Sequence, residues 1–499
     1  MELLALVVVA VSFMAVVLAW LGPRKGTGKA KKLPPGPYQF PIVGNLFQIG
    51  ERPHHSFAEL AKEHGPLMSI RLGSVLNAVV TSPQLSKDVL TLPGFNGRHA
   101  GQAVHVHDVP KMSMSFLPVA SDKWKFMRKI SREQIFANHS LDSSQVVRHE
   151  NLQHLIDYIG KCCDGGRPVN IREAAFTITV NLMSATLFST RVADFESEST
   201  GQFKEILEGV SDVVGEPNFA DFFPILERFD PQTVKRRSGK LIQRLLRLMK
   251  AQVDQRVEFR RANPNAPKKN DFLETLLDIS LGDEEQMTFQ EIEHALFELY
   301  LGGTVSSAST IEWVMTELLR QKDIVLSKAT SEVRKVLGGK KLIQDSDITT
   351  RLPYLQAVIN ETFRLHPPAP LLFPRSAEED MELGGYLIPK DTRMILNVWA
   401  MGRDPSVWAN AESFEPDRFL DANIDYKGLH FNLIPFGSGK RICPGLPLAH
   451  RVIHEATAAL IGNFDWEFAA GEKHRNHEHF TGLTLRRQAP LKAIPLKPN

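Results

Sequence analysis

Ten residues near the C-terminus, Phe436-Gly437-Ser438-Gly439-Lys440-Arg441-Ile442-Cys443-Pro444-Gly445, carry the only thiol in the second half of the chain. Cys443 stands just ahead of Pro444, a residue suited to the first turn of a helix. Amides and macrodipole at a helix N-terminus favour a thiolate, the form in which sulfur binds a metal. Gly437 and Gly439 let the loop turn its N–H groups toward the sulfur. Taken alone, a single cysteine reads first as a small buried apolar side chain.

A second stretch asks for an explanation of its own. Thr288 and Glu291 have the spacing of a capping box, and Ile292, Ala295, Leu296, Leu299 and Tyr300 follow at helical intervals. The pattern predicts a helix to about Gln321, roughly 50 Å long. Gly302 and Gly303 sit near its middle, where each glycine costs about 1 kcal/mol relative to alanine. A missing side chain on a central helix opens a notch into which another group can approach the backbone. Glu361 and Arg364 form a further pair, three apart on one face of a third helical pattern.

Together these elements are similar to the cytochromes P-450. The run Phe436 to Gly445 resembles the haem-binding loop of that family, with Phe436, both glycines, Arg441, Cys443 and Gly445 at the family spacing. Glu361-Thr362-Phe363-Arg364 matches its Glu-x-x-Arg element, and Phe414-Glu415-Pro416-Asp417-Arg418-Phe419 resembles the segment that completes that ion network. The resemblance spans almost the whole chain. It implies a haem (iron protoporphyrin IX) held by the Cys443 thiolate, which pushes electron density onto the iron and favours O–O cleavage. It implies further that Trp124, Arg128, Arg375 and Arg441 face the haem propionates, and that Gly303, Thr304 and Ser306 belong to an oxygen-binding groove.

This sequence departs from the family pattern in that groove. Val305 stands where an acid is usual and Ser306 where a threonine is usual. Serine retains a hydroxyl, whereas valine cannot relay a proton. That departure keeps a second chemistry open beside monooxygenation, namely a haem-thiolate isomerase, mutase or oxidative coupling enzyme acting, for example, on an alkaloid.

Residues 354–375 and 397–408 resemble the plant geraniol 8-hydroxylase-like microsomal branch, which implies an apolar specialised metabolite, a terpenoid first, as substrate. Substrate contacts are then expected from 101–120, Leu301, Val305, Leu371 to Phe373 and Thr481 to Leu483. No flavin or nicotinamide fingerprint follows a strand, so electrons from NADPH must arrive through a reductase. Lys123, Lys125, Lys129, Arg132 and Lys440 are candidates for a basic face toward that partner.

The elements that must position these residues are mostly helical. Period-3.6 spacing predicts helices around 122–136, 148–162, 172–188, 235–260, 288–321, 353–365 and 445–463. Alternation over 68–82, broken at Gly73-Ser74, predicts a hairpin, and 381–399 predicts further short strands. The fold class is therefore mainly α with a minor β part. The polar run 260–271 reads as an exposed loop. Composition is that of an ordinary globular protein, and with a formal charge of +2 nothing in it points to a nucleic-acid partner.

Residues 3–21 are apolar apart from Ser12 and long enough to cross a bilayer, and five basic residues follow by position 32. The order of apolar and basic segments favours a retained anchor over a cleaved signal peptide. By the positive-inside rule the body then faces the cytoplasm, as at an endoplasmic reticulum membrane. The odd cysteine count agrees with a reducing compartment. Expected organisation is an anchor over 1–22, a basic and proline-rich connector over 23–45, and one haem-thiolate domain over 46–499.

Overall fold

The computed structural model describes residues 32–196, 198–282, 287–472 and 478–498. The expected anchor and the first part of the connector lie outside the described residues. Among the described residues no helix is long and apolar enough to cross a membrane.

The helices that frame the interior are α1 (Asp122–Gln134), α2 (Ile171–Phe188), α3 (Glu198–Gly215), α4 (Val234–Ala262), α5 (Phe289–Arg320), α6 (Pro353–Leu365) and α7 (Leu446–Asn463). The fold is mainly helical, as the spacing predicts. Sequence periodicity did not reveal α3, nor the shorter helices Phe272–Ser280 and Ser327–Leu337. After α4 the polar run 263–270 is almost wholly exposed.

Helix α5 is the axis of the molecule. The Thr288 hydroxyl accepts the Glu291 amide at 3.3 Å while the Glu291 carboxylate accepts the Thr288 amide at 2.8 Å, so the capping box forms. From Thr304 to Leu319 every residue but Ser306 is buried, which is the environment of a helix surrounded on all sides. α2 packs along it, and Ser184 and Tyr300 join hydroxyls at 3.0 Å. α4, α6 and α7 cover its other faces.

The β part is a five-stranded sheet built from β1 (Leu67–Leu72), β2 (Val75–Val80), β3 (Gly97–Arg98), β4 (Arg375–Ser376) and β5 (Arg393–Leu396), in the order β1-β2-β5-β4-β3. β1 and β2 form the predicted hairpin, with Leu72 opposite Val75 and Gly73 at φ +56° in the turn. β2 pairs β5 in parallel, and β5, β4 and β3 continue antiparallel. This edge has a functional consequence: Arg98 lies directly opposite Arg375.

Beneath the interior, Glu361 and Arg364 on α6 are both inaccessible. Two guanidinium nitrogens of Arg364 reach Glu361 at 2.6 and 2.7 Å, and the carbonyls of Gly402, Ala411 and Ser413 take its remaining donors. Arg418 Nε meets the same carboxylate at 3.1 Å. The i,i+3 pair is thus a fully satisfied buried network that ties α6 to the segment leading toward the cysteine loop.

Candidate active site

A cavity of about 430 Å³ lies between α5 and the cysteine loop, lined by Cys443 on one side and by Gly302, Gly303 and Ser306 on the other. Trp124, Arg128, Arg375, Phe436 and Arg441 also line it. Eight of the nine residues assigned to the site from sequence are therefore gathered around one space.

Thr304 is the exception. It is fully buried outside the cavity lining, and its hydroxyl donates to the carbonyls of Tyr300 at 3.1 Å and Leu301 at 3.3 Å. One residue advances a helix by about 100°, so Thr304 is turned away from the face that carries Gly302 and Ser306. Of the three α5 residues expected in the groove, Gly303 and Ser306 line the cavity and Thr304 does not.

The two glycines of α5 serve different ends. At Gly302 a Cβ would meet nothing within 4 Å, because the position opens onto the cavity. At Gly303 it would lie 2.5 Å from Met183 Sδ, so that glycine admits α2. Gly303→Ala is expected to destabilise the protein by roughly 1–2 kcal/mol through overpacking. Gly302→Ala is expected to leave stability unchanged or raise it by up to about 1 kcal/mol through helix propensity. The thermal midpoint of Gly303→Ala should fall, while that of Gly302→Ala should stay where it is or rise.

The cysteine loop is shaped by its glycines. Gly437 and Gly439 have φ of +69° and +71°, and a Cβ at Gly439 would stand 2.2 Å from the Leu90 carbonyl oxygen. The Cys443 amide donates to the Phe436 carbonyl at 3.0 Å, closing the loop, and the Phe436 ring stacks edge-on against Phe363 at 5.2 Å. α7 begins at Leu446.

Burial pushes the Cys443 thiol up, while the amides of Gly445 and Leu446 and the charge of Arg128 pull it down. The helix start alone therefore does not win, which amends the sequence argument. A cation on the sulfur tips the balance, since a coordinated thiol is deprotonated.

Charge around the cavity is predominantly positive, with four arginines against one carboxylate, Glu298, among the described residues of the lining. Arg98 and Arg375 face each other across β3 and β4, an arrangement of like charges that weakens a strand pair unless a counter-charge intervenes. Arg375 donates to Asn96 Oδ1 at 3.2 Å and Ser438 O at 3.3 Å, and Arg441 donates to the carbonyls of Asn96 at 2.7 Å and Leu117 at 2.8 Å. Arg128 donates to Ile442 O at 2.6 Å. Buried Arg98 Nε has no acceptor. Among the described residues none of these four guanidiniums is in an ion pair with a carboxylate. Burial lowers both Arg375 and Arg441 to about 10; repulsion from Arg441 adds to the effect at Arg375, whereas at Arg441 the nearby Glu378 and Glu298 carboxylates oppose burial and Arg128 reinforces it.

A cavity floored by sulfur and edged by unpaired guanidiniums fits an iron porphyrin with two anionic side chains. Cys443 would hold the iron, while Arg98, Arg375 and Arg441 stand ready for the carboxylates. Sequence reasoning missed Arg98. Its only signal is a single arginine after Gly97, and its role depends on a strand partner 277 positions away.

The residues named for a reductase face are not all free to serve. Lys123 Nζ lies 2.5 Å from Glu291, and Lys125 meets Asp122 at 3.0 Å. Lys129 and Lys440 are exposed.

Fold and site define a haem-thiolate enzyme, and comparison with known proteins agrees: the chain belongs to the cytochrome P450 family, whose profile matches residues 34–493. It is thus a haem-dependent monooxygenase of that family. It is 52% identical to a ferruginol synthase of Isodon rubescens, over 95% of this chain and 96% of the relative. A sugiol synthase of Salvia miltiorrhiza is 48% identical over 94% and 95%, and a carnosic acid synthase of Rosmarinus officinalis 44% over 97% and 98%.

Proposed function

We propose that this chain inserts one atom of dioxygen into a diterpenoid related to ferruginol, using electrons that NADPH supplies through a membrane reductase. One observation carries the reading: above Cys443 the cavity wall is mostly apolar, formed by side chains such as Val305, Leu301, Phe116 and Phe373. A compact hydrocarbon skeleton suits such walls, and relatives named for ferruginol, sugiol and carnosic acid align over nearly the whole chain.

Haem, when bound, supplies oxygen activation. The chain's own residues orient the substrate and manage protons. Ser306 is the one α5 hydroxyl that is partly accessible on the cavity side. Its Oγ donates to the Gly302 carbonyl at 3.0 Å, which parks the proton on the helix and leaves the oxygen lone pairs free to accept from the cavity. Val305 beside it adds only an apolar surface, so further protons come from elsewhere, through ordered water, Thr304, another polar group of the cavity or the substrate.

Membrane attachment through residues 1–22 belongs to the same proposal. Supporting it, Tyr38, Phe47, Ile225 and Phe229 are each at least 68% exposed. Their two segments meet at the β1–β2 turn, where Gly73 N donates to Val43 O and Ser74 N to Phe222 O. Such an apolar surface fits a bilayer.

Incubation with reductase and NADPH, over a panel of diterpene hydrocarbons, ferruginol and alkaloids, with and without oxygen, tests the reading. Products heavier by one oxygen atom, formed from diterpenoids only in air, support it. Turnover without oxygen favours an isomerase or mutase instead, and coupled products formed from alkaloids in air with no oxygen atom gained favour oxidative coupling.

A further inference from the structure

Glu298 is the only carboxylate lining the cavity among the described residues. It stands one turn before Gly302 on α5. Its oxygens accept the amides of Met114 and Ser115, each at 2.8 Å, together with the Ser115 hydroxyl. Among the described residues no lysine, arginine or histidine lies in ion-pair contact with it. Burial pushes its carboxyl up, and the hydrogen bonds from segment 113–115 pull it back down.

One turn earlier on the same face, His294 Nε2 lies 2.8 Å from the His107 carbonyl, so α5 grips the covering segment twice. At its other end the segment is held by Arg441, through the Leu117 carbonyl. Between the two holds lies Phe116, whose ring packs edge-on against Phe373 at 5.8 Å over the cavity.

We propose that Glu298 is a positioning residue that clamps segment 113–117 to α5 and so fixes Phe116 above the substrate, selecting which carbon is oxidised. The clamp rests on geometry alone, while the selectivity rests on the monooxygenase reading above. A carboxylate is required because two amides and a hydroxyl all donate to it. An amide side chain of the same size offers one acceptor oxygen and turns an N–H toward the remaining donors.

Hydrogen exchange on the haem-loaded enzyme reads the clamp. In Glu298→Gln the Met114 and Ser115 amides should exchange about tenfold faster, with no matching change in α6. Product analysis with ferruginol and a diterpene hydrocarbon reads the selectivity. Glu298→Gln and Phe116→Ala should shift the regioisomer ratio in the same direction, by about fivefold, and the double variant should stay within about twofold of Phe116→Ala.

Unchanged exchange overturns the clamp. Shifts that multiply in the double variant overturn action through Phe116. If wild-type enzyme oxidises neither compound, the diterpenoid reading fails and the exchange result still decides the clamp. Should Glu298→Gln not load haem, Ser115→Ala, which removes one donor, is read the same way with a smaller shift expected.

Discussion

Glu361→Ala should cost roughly 3–5 kcal/mol of folding stability, a large fraction of the roughly 5–15 kcal/mol that a typical domain possesses. The carboxylate is inaccessible and holds Arg364 twice, Arg418 Nε at 3.1 Å and the Glu415 amide at 2.7 Å. Removing it leaves the Arg364 charge buried with only carbonyl oxygens around it, which is the expensive way to break an ion pair. Urea unfolding with a full-domain probe measures the loss. A change below about 1 kcal/mol would show that the network contributes little. Pairing the change with Arg364→Met should restore part of the stability, because the uncompensated charge then goes too.

Arg375→Leu should act with opposite signs on the haem-free and haem-loaded protein. Without a dianion the guanidinium is a liability, as its pKa of about 10 shows: burial and Arg441 both oppose its charge. For a base whose folded value lies below its unfolded value, the charged form is penalised on folding. The penalty is present at neutral pH and is relieved as pH rises toward and past about 10. Apoprotein carrying Arg375→Leu should therefore be at least as stable as wild type. With haem bound, the same change removes charge-assisted hydrogen bonds worth about 1.5–3 kcal/mol, so haem should leave roughly ten- to a hundredfold faster. Transfer of haem to apomyoglobin reads that rate. An unchanged rate would mean that Arg375 does not touch the propionates.

Long periodic elements were legible because each one states its own boundaries. The capping box placed the start of α5 within one residue, and α6 came out at its predicted bounds because Pro353 opens it and the apolar spacing runs cleanly to Leu365. Features decided by distant partners were not legible. Arg98 acquires its place only when two-residue strands bring it opposite Arg375. Glu298 looks like any surface acid until a segment 183 residues earlier folds across it. Thr304 belongs to the same short motif as Gly302 and Ser306, but a helix distributes consecutive residues around its circumference, and two positions from each of them it bonds the helix backbone outside the cavity lining. The Cys443 argument weighed the helix start and could not weigh the depth of the sulfur, which the folded chain alone reveals.

The account rests on sulfur from Cys443 meeting iron beneath Gly302. The direct measurement is the absorption spectrum of the reduced protein under carbon monoxide, recorded for wild type and for Cys443→Ala. Wild type should show the band of a thiolate-ligated haem, and the variant should lose it while keeping the unfolding transition of the domain. A variant that retained the thiolate band would contradict the assignment and place the iron on another ligand.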